Sequence, residues 1–378
     1  MSAVTCVECG RAVQLVHRGW EAGDPAYCAD HIALLARDPR FIIPSAIKAA
    51  EKDLMQPSDE LIDWCLPELT DMLGYLLPGT VTYGCAFPKN GKTAFLANNL
   101  AYWERQGVRP WVMPTESRPK GLVTRLACAR ANVSVDETMS RRLRKRADGG
   151  DAEAQDQLIR VAVAFSEMLH EHTTEGASIA IEPAPRLTRT IFKKSIQAAA
   201  AGGYGLVVVD HIDHVGADPD SGQSGYATSE AIQGDALEFA ELYNLPLLLM
   251  SQLNTSRVNR DPLHCYKRPV PDWLWMKGPK DQIAHGMFGI YRPMQPDPDE
   301  KLMEAVKAQQ AESWRIALPN TMGIADMLSR FAGARRDRTL HLHYEDGKIS
   351  PRAALDQWAE QSGVHGIHTG SPSMWRAA

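Results

Sequence analysis

The chain has 378 residues, 44% of them hydrophobic and 23% charged, with a formal net charge of −5. That length allows one large or two ordinary domains with ample core, and the mild acidity argues against a wholly basic nucleic-acid wrap while permitting a local basic channel. No run of eighteen uninterrupted apolar residues suggests a membrane span, no basic start with an apolar stretch suggests a signal peptide, and seven cysteines, four of them scattered singly, suit a reducing, cytoplasmic setting better than a disulfide scaffold.

Residues 1–35 read as a unit of their own. Cys6-Val-Glu-Cys9, eighteen residues, then Cys28-Ala-Asp-His31 supplies three thiolates and one imidazole, a closed tetrahedral set for structural Zn²⁺. So short a segment has little core, and metal binding would supply its folding energy. Its few positive charges (Arg11, His17, Arg18) leave DNA binding and protein docking both open. Residues 36–62 read as a linker punctuated by Pro39 and Pro44, after which Ile43, Ile47, Ala50 and Leu54 fall on one helical face. That face would pack either on a neighbouring subunit or on its own domain.

The stretch Leu76–Phe95 organises the rest of the chain. Thr80–Tyr83 suits a buried strand, a Gly- and Pro-containing turn comes next, and Gly91-Lys92-Thr93 opens a predicted helix. Strand, glycine loop and helix form a phosphate cradle: backbone N–H groups at the helix start, with Asn90, Gly91 and Ala94, would point at the phosphates, and Ala86 and Pro88 would complete the loop around them. Lys92 would reach them as a point charge, and Thr93 would place its hydroxyl on Mg²⁺. Ala86 stands where the general motif has its first glycine.

Val108–Glu116 is the next strand candidate, and it ends in an acid. Ligands gather outside the carboxyl ends of parallel strands, so Glu116 would orient an attacking water near the γ-phosphate or else be a solvated loop acid. Residues 133–185 look mainly helical. Their basic run Arg141–Arg146 suggests phosphate contacts or a solvated helix face. Leu187–Ala200 reads as a helix stopped by Gly202–Gly205. Leu206-Val-Val-Val-Asp210 reads as a strand buried on both faces, with its terminal Asp placed to hold the water shell of Mg²⁺. Ser229–Tyr243 is a further helix, and Leu245–Met250 a strand that leads into Ser251-Gln252, where Gln252 would sense the γ-phosphate or satisfy loop backbone. Alternating strands and helices imply an α/β core with a mostly parallel sheet flanked by helices.

From about Leu66 to Tyr344 these motifs, in order, resemble the RecA-like ATPase domain of DnaB-type replicative helicases. A-F-P-K-N-G-K-T is similar to that family's P-loop, which commonly has Ala at the position of Ala86. M-P-T-E-S-R resembles its strand with the catalytic glutamate (Glu116), L-V-V-V-D-H-I-D-H its Walker B strand (Asp210), and P-L-L-L-M-S-Q its glutamine sensor (Gln252). K-R-P-V-P-D-W-L-W-M-K-G-P-K resembles the loop lining the family's DNA channel, which would set Trp275, Lys277 and Lys280 against single-stranded DNA. The late R-R-D-R-T-L-H-L-H-Y resembles its arginine-bearing hairpin, with Arg335 or Arg336 as the finger acting in trans. Two departures stand out. Leu274-Trp-Met-Lys-Gly278 lacks the family's Arg-Glu pair, and the loop Gly216–Tyr226 carries Asp218 and Asp220 with no Lys or Arg. Trp275 would offer a base-stacking face, a core contact or a subunit contact.

The resemblance implies a RecA-like P-loop NTPase core over 63–349; the residues on either side read as the zinc-binding module before it and, from Gly, Ser and Pro punctuation, a flexible tail over 350–378. It implies ATP and Mg²⁺ as cofactors, beside the Zn²⁺ read from the Cys and His spacing, a homo-oligomer of hexamer type, single-stranded DNA as partner, and a bacterial or phage-encoded cytoplasmic setting. It also implies a primase or loader, although the helical domain that usually precedes the motor is replaced here by the zinc unit. The activity implied is that of an ATP-dependent DNA helicase in replication. The alternatives are a RecA-like ATPase that gates DNA binding without unwinding, and an ATP-binding scaffold that is not a motor.

Overall fold

The computed structural model of the protein describes residues 4–5, 12–13, 61–116, 118–174, 178–216, 225–254, 269, 280–291, 321–329, 339–345, 347–351, 353–354 and 357. The chain divides into two units, Met1–Glu60 and Leu61–Ala378. In the first, β1 (Val4–Thr5) and β2 (Ala12–Val13) pair antiparallel, with Val4 opposite Val13. The expected zinc ligands Cys6, Cys9, Cys28 and His31, and the apolar helix face over 43–54, lie outside the described residues, as do most of the residues expected to form a tail.

The second unit opens with α1 (Pro67–Leu73), started by a proline that has no helical N–H to lose. Then come β3 (Val81–Ala86), α2 (Lys92–Arg105), β4 (Pro110–Pro114) and α3 (Pro119–Ala131). A helical insert follows: α4 (Val135–Met139), α5 (Arg142–Asp148) and α6 (Ala152–Thr174). The chain returns through β5 (Ala180–Ile181), α7 (Arg189–Ala201), β6 (Leu206–Asp210), α8 (Gly225–Tyr243) and β7 (Leu247–Gln252). It closes with α9 (Lys280–Ile283), β8 (Gly286–Tyr291), β9 (Thr321–Ser329), β10 (Thr339–Glu345) and β11 (Lys348–Ser350).

The strands form one sheet of nine, in the order β11-β10-β9-β8-β3-β7-β6-β4-β5. From β8 to β5 all neighbours are parallel, whereas β9, β10 and β11 extend the sheet antiparallel. The parallel strands are apolar without alternation because both faces are covered. Val208, Leu248, Met250 and Phe288 pack with α1, α2 and α3 on one face, while Val207, Val209, Leu247 and Leu249 pack with α7 and α8 on the other. At the centre of β3, a Cβ on Gly84 would meet Phe288 Cζ at 2.7 Å and Met250 Sδ at 2.8 Å, so only glycine lets those side chains close over the strand. In the insert, the basic run is a solvated helix surface: Arg144 pairs with Asp148 at 3.0 Å, and Arg146 with Glu137 at 2.9 Å and Asp151 at 2.8 Å.

Two sets of contacts fix α2, the helix that leads out of the glycine loop. At the start of the unit, Trp64 packs between Phe95, Trp103 and Phe288, with ring centroids 5.8, 5.9 and 5.2 Å away, and its Nε1 donates to Gly74 O at 2.8 Å. Cys65 N donates to Asn99 Oδ1 at 3.0 Å, and Trp103 Nε1 donates to Asp63 O at 2.6 Å. At the far end of the unit, Asn98 Nδ2 donates to Gly347 O at 2.8 Å, and Asn98 Oδ1 accepts from Ile349 N at 3.4 Å.

Trp64 is 1% exposed, so Trp64→Ala should leave a cavity that three rings line and cost about 3–5 kcal/mol. Urea denaturation followed by circular dichroism measures this as a lowered midpoint.

Candidate active site

Four neighbouring parallel strands, β3, β7, β6 and β4 in sheet order, end on the same edge, and each delivers a polar group there. Ala86, the last residue of β3, is in register with Gln252, the last of β7; Asp210, the last of β6, is in register with Pro114, two residues before Glu116. Carboxyl ends of adjacent parallel strands are where open α/β sheets bind ligands.

The β3–α2 turn has the backbone such a site needs. Lys89 (φ 64°) and Gly91 (φ 90°) both adopt left-handed conformations, which fold the chain back sharply before Gly91 O accepts the first helical bond from Phe95 N at 2.8 Å. The N–H groups that open α2, those of Lys92, Thr93 and Ala94, have no helical partner of their own. Asn90 is fully buried, and neither atom of its amide has a partner. Buried polar atoms are ordinarily satisfied, so an open amide in this turn marks a place for a ligand's polar atoms.

Opposite the turn, Thr93 Oγ1 donates to Asp210 Oδ2 at 3.2 Å. Asp210 and Lys92 are both buried. Burial raises the Asp210 pKa, against the pull of Lys92, His211 and the Thr93 hydroxyl. Burial lowers the Lys92 pKa, against the carboxylates of Asp210, Glu116 and Asp213. Each charge has lost water that its neighbours only partly replace. A hydroxyl beside a buried carboxylate is a hard-oxygen pair that fits Mg²⁺. Among the described residues no three His, Cys, Asp or Glu side chains are arranged to hold a metal ion by themselves, so the rest of an ion's shell would come from water and phosphate.

Beyond β4, Thr115 joins the ends of two strands. Its N–H donates to Asp210 O at 2.8 Å, its Oγ1 donates to His211 O at 2.8 Å, and the same Oγ1 accepts from His211 N at 2.9 Å. Glu116 is therefore set beside His211, with Oε2 3.1 Å from His211 Nε2, and Gln252 Nε2 lies 2.9 Å from that ring nitrogen and 3.4 Å from Glu116 Oε2. Below them sits Asp213, 3% exposed, accepting from Gln252 N at 2.5 Å, Ser251 Oγ at 2.9 Å and Lys280 Nζ at 2.5 Å. Burial alone would raise the Asp213 pKa, but Lys280, the nearby His211 and the Gln252 N–H bring it below the usual carboxylate range.

Of the residues singled out from sequence, Ala86, Pro88, Asn90, Gly91, Lys92, Thr93, Ala94, Asp210, Glu116 and Gln252 all stand on this edge of the sheet or in the turn beside it. Lys280 requires correction. Expected against single-stranded DNA, it is fully buried, and its ammonium is taken up by Asp213 and by Ser251 Oγ at 2.9 Å. Trp275, Lys277, Arg335 and Arg336 lie outside the described residues. Sequence reasoning gives His211 and Asp213 no role. Their signal is the polar cluster D-H-I-D-H directly after a strand buried on both faces, since an acid that close to a core needs a partner.

A protein-family model described as the DnaB-like helicase C terminal domain matches residues 63–317. No curated protein matches the sequence. Among solved structures, the chain is similar to a DnaB-like replicative helicase studied with its interactions with primase, at 15% identity and a TM-score of 0.59, covering 82% of this chain and 66% of that one. It is also similar to a separately solved ATPase domain, at 17% identity and a TM-score of 0.60, covering 82% of this chain and 98% of that one. At these identities the likeness is one of fold, and the chain spans just under two thirds of the length of the first of these structures.

Lys280→Met would strand a buried carboxylate, and should cost about 3–5 kcal/mol in chemical denaturation at neutral pH. Because pairing holds Asp213 below the usual carboxylate range, the pair's contribution is present above that range and is lost as pH falls through the lowered value. The gap in stability between wild type and variant should therefore narrow on acidification.

Proposed function

The chain belongs to the DnaB-like helicase C-terminal domain family, and on that premise we propose that it is a Mg²⁺-dependent ATP hydrolase acting on single-stranded DNA. The observation that carries this reading is the convergence of Lys92, Thr93, Asp210, Glu116 and Gln252 at the ends of four adjacent parallel strands, with the Thr93 hydroxyl 3.2 Å from Asp210. Lys92 and the N–H groups that open α2 bind the β- and γ-phosphates, and the Asn90 amide offers its open donor and acceptor to the same group. Thr93 and Asp210 would hold Mg²⁺, which would neutralise charge on the phosphates. Glu116 orients the attacking water and accepts its proton. Gln252, touching Glu116 at the end of β7, relays the state of the γ-phosphate to the segment that follows.

In this reading the protein works as a ring, a hexamer, with ATP between subunits and Arg335 or Arg336 of a neighbour completing the site. Trp275 and Lys277 contact the DNA strand, and a primase or loader joins the ring. The first 35 residues, with Cys6, Cys9, Cys28 and His31, form a zinc module separate from the motor. One observation favours a second reading, an ATPase that does not unwind: Lys280, a cation counted toward the DNA-facing loop, is spent on Asp213. Strand displacement on forked DNA separates the two, since turnover without displacement supports the second.

Phosphate release from Mg²⁺–ATP should rise when single-stranded DNA is added, and Lys92→Ala should lower it by roughly 100-fold or more. Turnover indifferent to Lys92 would sink the reading. Elemental analysis should find zinc in the wild-type chain and less in Cys6→Ser, with turnover of the Cys6→Ser protein retained.

A further inference from the structure

The side chain of Glu116 is 60% exposed and sits two residues past the end of β4. What fixes it comes from β6. The His211 side chain is 5% exposed and stands between two carboxylates, its Nε2 3.1 Å from Glu116 Oε2 and its Nδ1 3.6 Å from Asp213 Oδ2. The second contact is longer than a hydrogen bond, so Asp213 acts on the ring as a nearby charge. A carboxylate only accepts, so the ring donates to Glu116 through Nε2–H. The imidazole itself is immobilised. Its backbone is tied on both sides to Thr115, the residue before Glu116, and Asp213 beneath it is anchored by Lys280, Ser251 and the Gln252 backbone. A continuous strut thus runs from the first residue of α9 through Asp213 and His211 to Glu116.

We propose that His211, braced by Asp213 and Lys280, is a positioning residue for Glu116, holding that carboxylate in the one direction from which it can address water at the γ-phosphate. The proposal rests on the hydrolytic reading above. A flexible exposed acid spends most of its time in unproductive rotamers, and a neighbour that removes that freedom acts on turnover and leaves substrate binding alone. Gln252 Nε2 donates to Glu116 Oε2 at 3.4 Å, the looser of the two contacts on that carboxylate; a ring that donates through Nε2–H does not also accept from Gln252, so the 2.9 Å approach of the two nitrogens is not a hydrogen bond in this tautomer.

The test compares two polar variants of the full chain, each assayed for phosphate release with Mg²⁺–ATP. His211→Gln keeps a donor where Nε2 stands; His211→Asn keeps a nitrogen on the Asp213 side and loses the reach to Glu116. His211→Asn should lose roughly 10- to 100-fold in kcat with KM for ATP moved by less than about two-fold, while His211→Gln stays within about three-fold of wild type. Thermal unfolding should show both variants folded. Wild-type kcat in His211→Asn overturns the proposal while leaving the hydrolytic reading intact, and so does an equal loss in both variants or a loss confined to KM. A wild-type chain that releases no phosphate overturns the hydrolytic reading and the proposal with it.

Discussion

The structure depends on a buried carboxylate and a buried ammonium that face each other without fully satisfying each other. Asp210 ends β6 and Lys92 opens the helix that follows β3, a strand separated from β6 in the sheet by β7, and both side chains have lost most of their water. Removing a charge from water costs several kcal/mol even after relaxation, and attraction to one neighbour does not fully offset it. The opposed shifts of the two groups express that imbalance, as does the open amide of Asn90 beside them. A fold keeps such a cluster at a strand edge when something else completes it. In the hydrolytic reading, that is a triphosphate with its divalent ion.

Delivering those groups is the work of the parallel sheet. Registration of Ala86 with Gln252 levels the ends of β3 and β7, that of Asp210 with Pro114 levels β6 and β4, and the Thr115 bonds hold β4 and β6 together. That alignment depends in turn on side chains that cover both faces, because a slip of one position sends every side chain of a strand to the opposite face and breaks the packing of both cores. Cores on either side, reaching to Trp64 on one and to Phe192 on the other, therefore set the geometry of the site.

The parallel half of the sheet and the phosphate turn were legible because their signals are local. A run such as Leu206–Val209 has one reasonable place in an α/β protein, and Gly91 before Lys92 and Thr93 announces the turn. What was not legible depended on distance along the chain. Lys280 reads as a free cation beside Lys277 until the fold brings Asp213, 67 residues earlier, to within 2.5 Å. His211 reads as one of several histidines until Thr115 and Glu116 arrive from another strand. β8 and β9 likewise carry runs, Gly286–Tyr291 and Thr321–Ser329, whose pairing is settled by β3 and β10 and not by any pattern of their own.

The link between Asn98 and the last strand bears on where the motor can be cut. The family match stops at residue 317, but the helix that leads out of the phosphate turn has its polar side chain satisfied by Gly347 and Ile349. Ile324, Leu342 and Ile349 also belong to the core that holds that helix. A fragment trimmed to the matched segment would bare one flank of β8 and strip the Asn98 amide of its two bonds to the last strand, leaving only Nδ2 to Ala94 O at 2.8 Å. The smallest self-sufficient piece therefore reaches Ser350, and the antiparallel flap is as much a part of the engine's chassis as the strands that bear its chemistry.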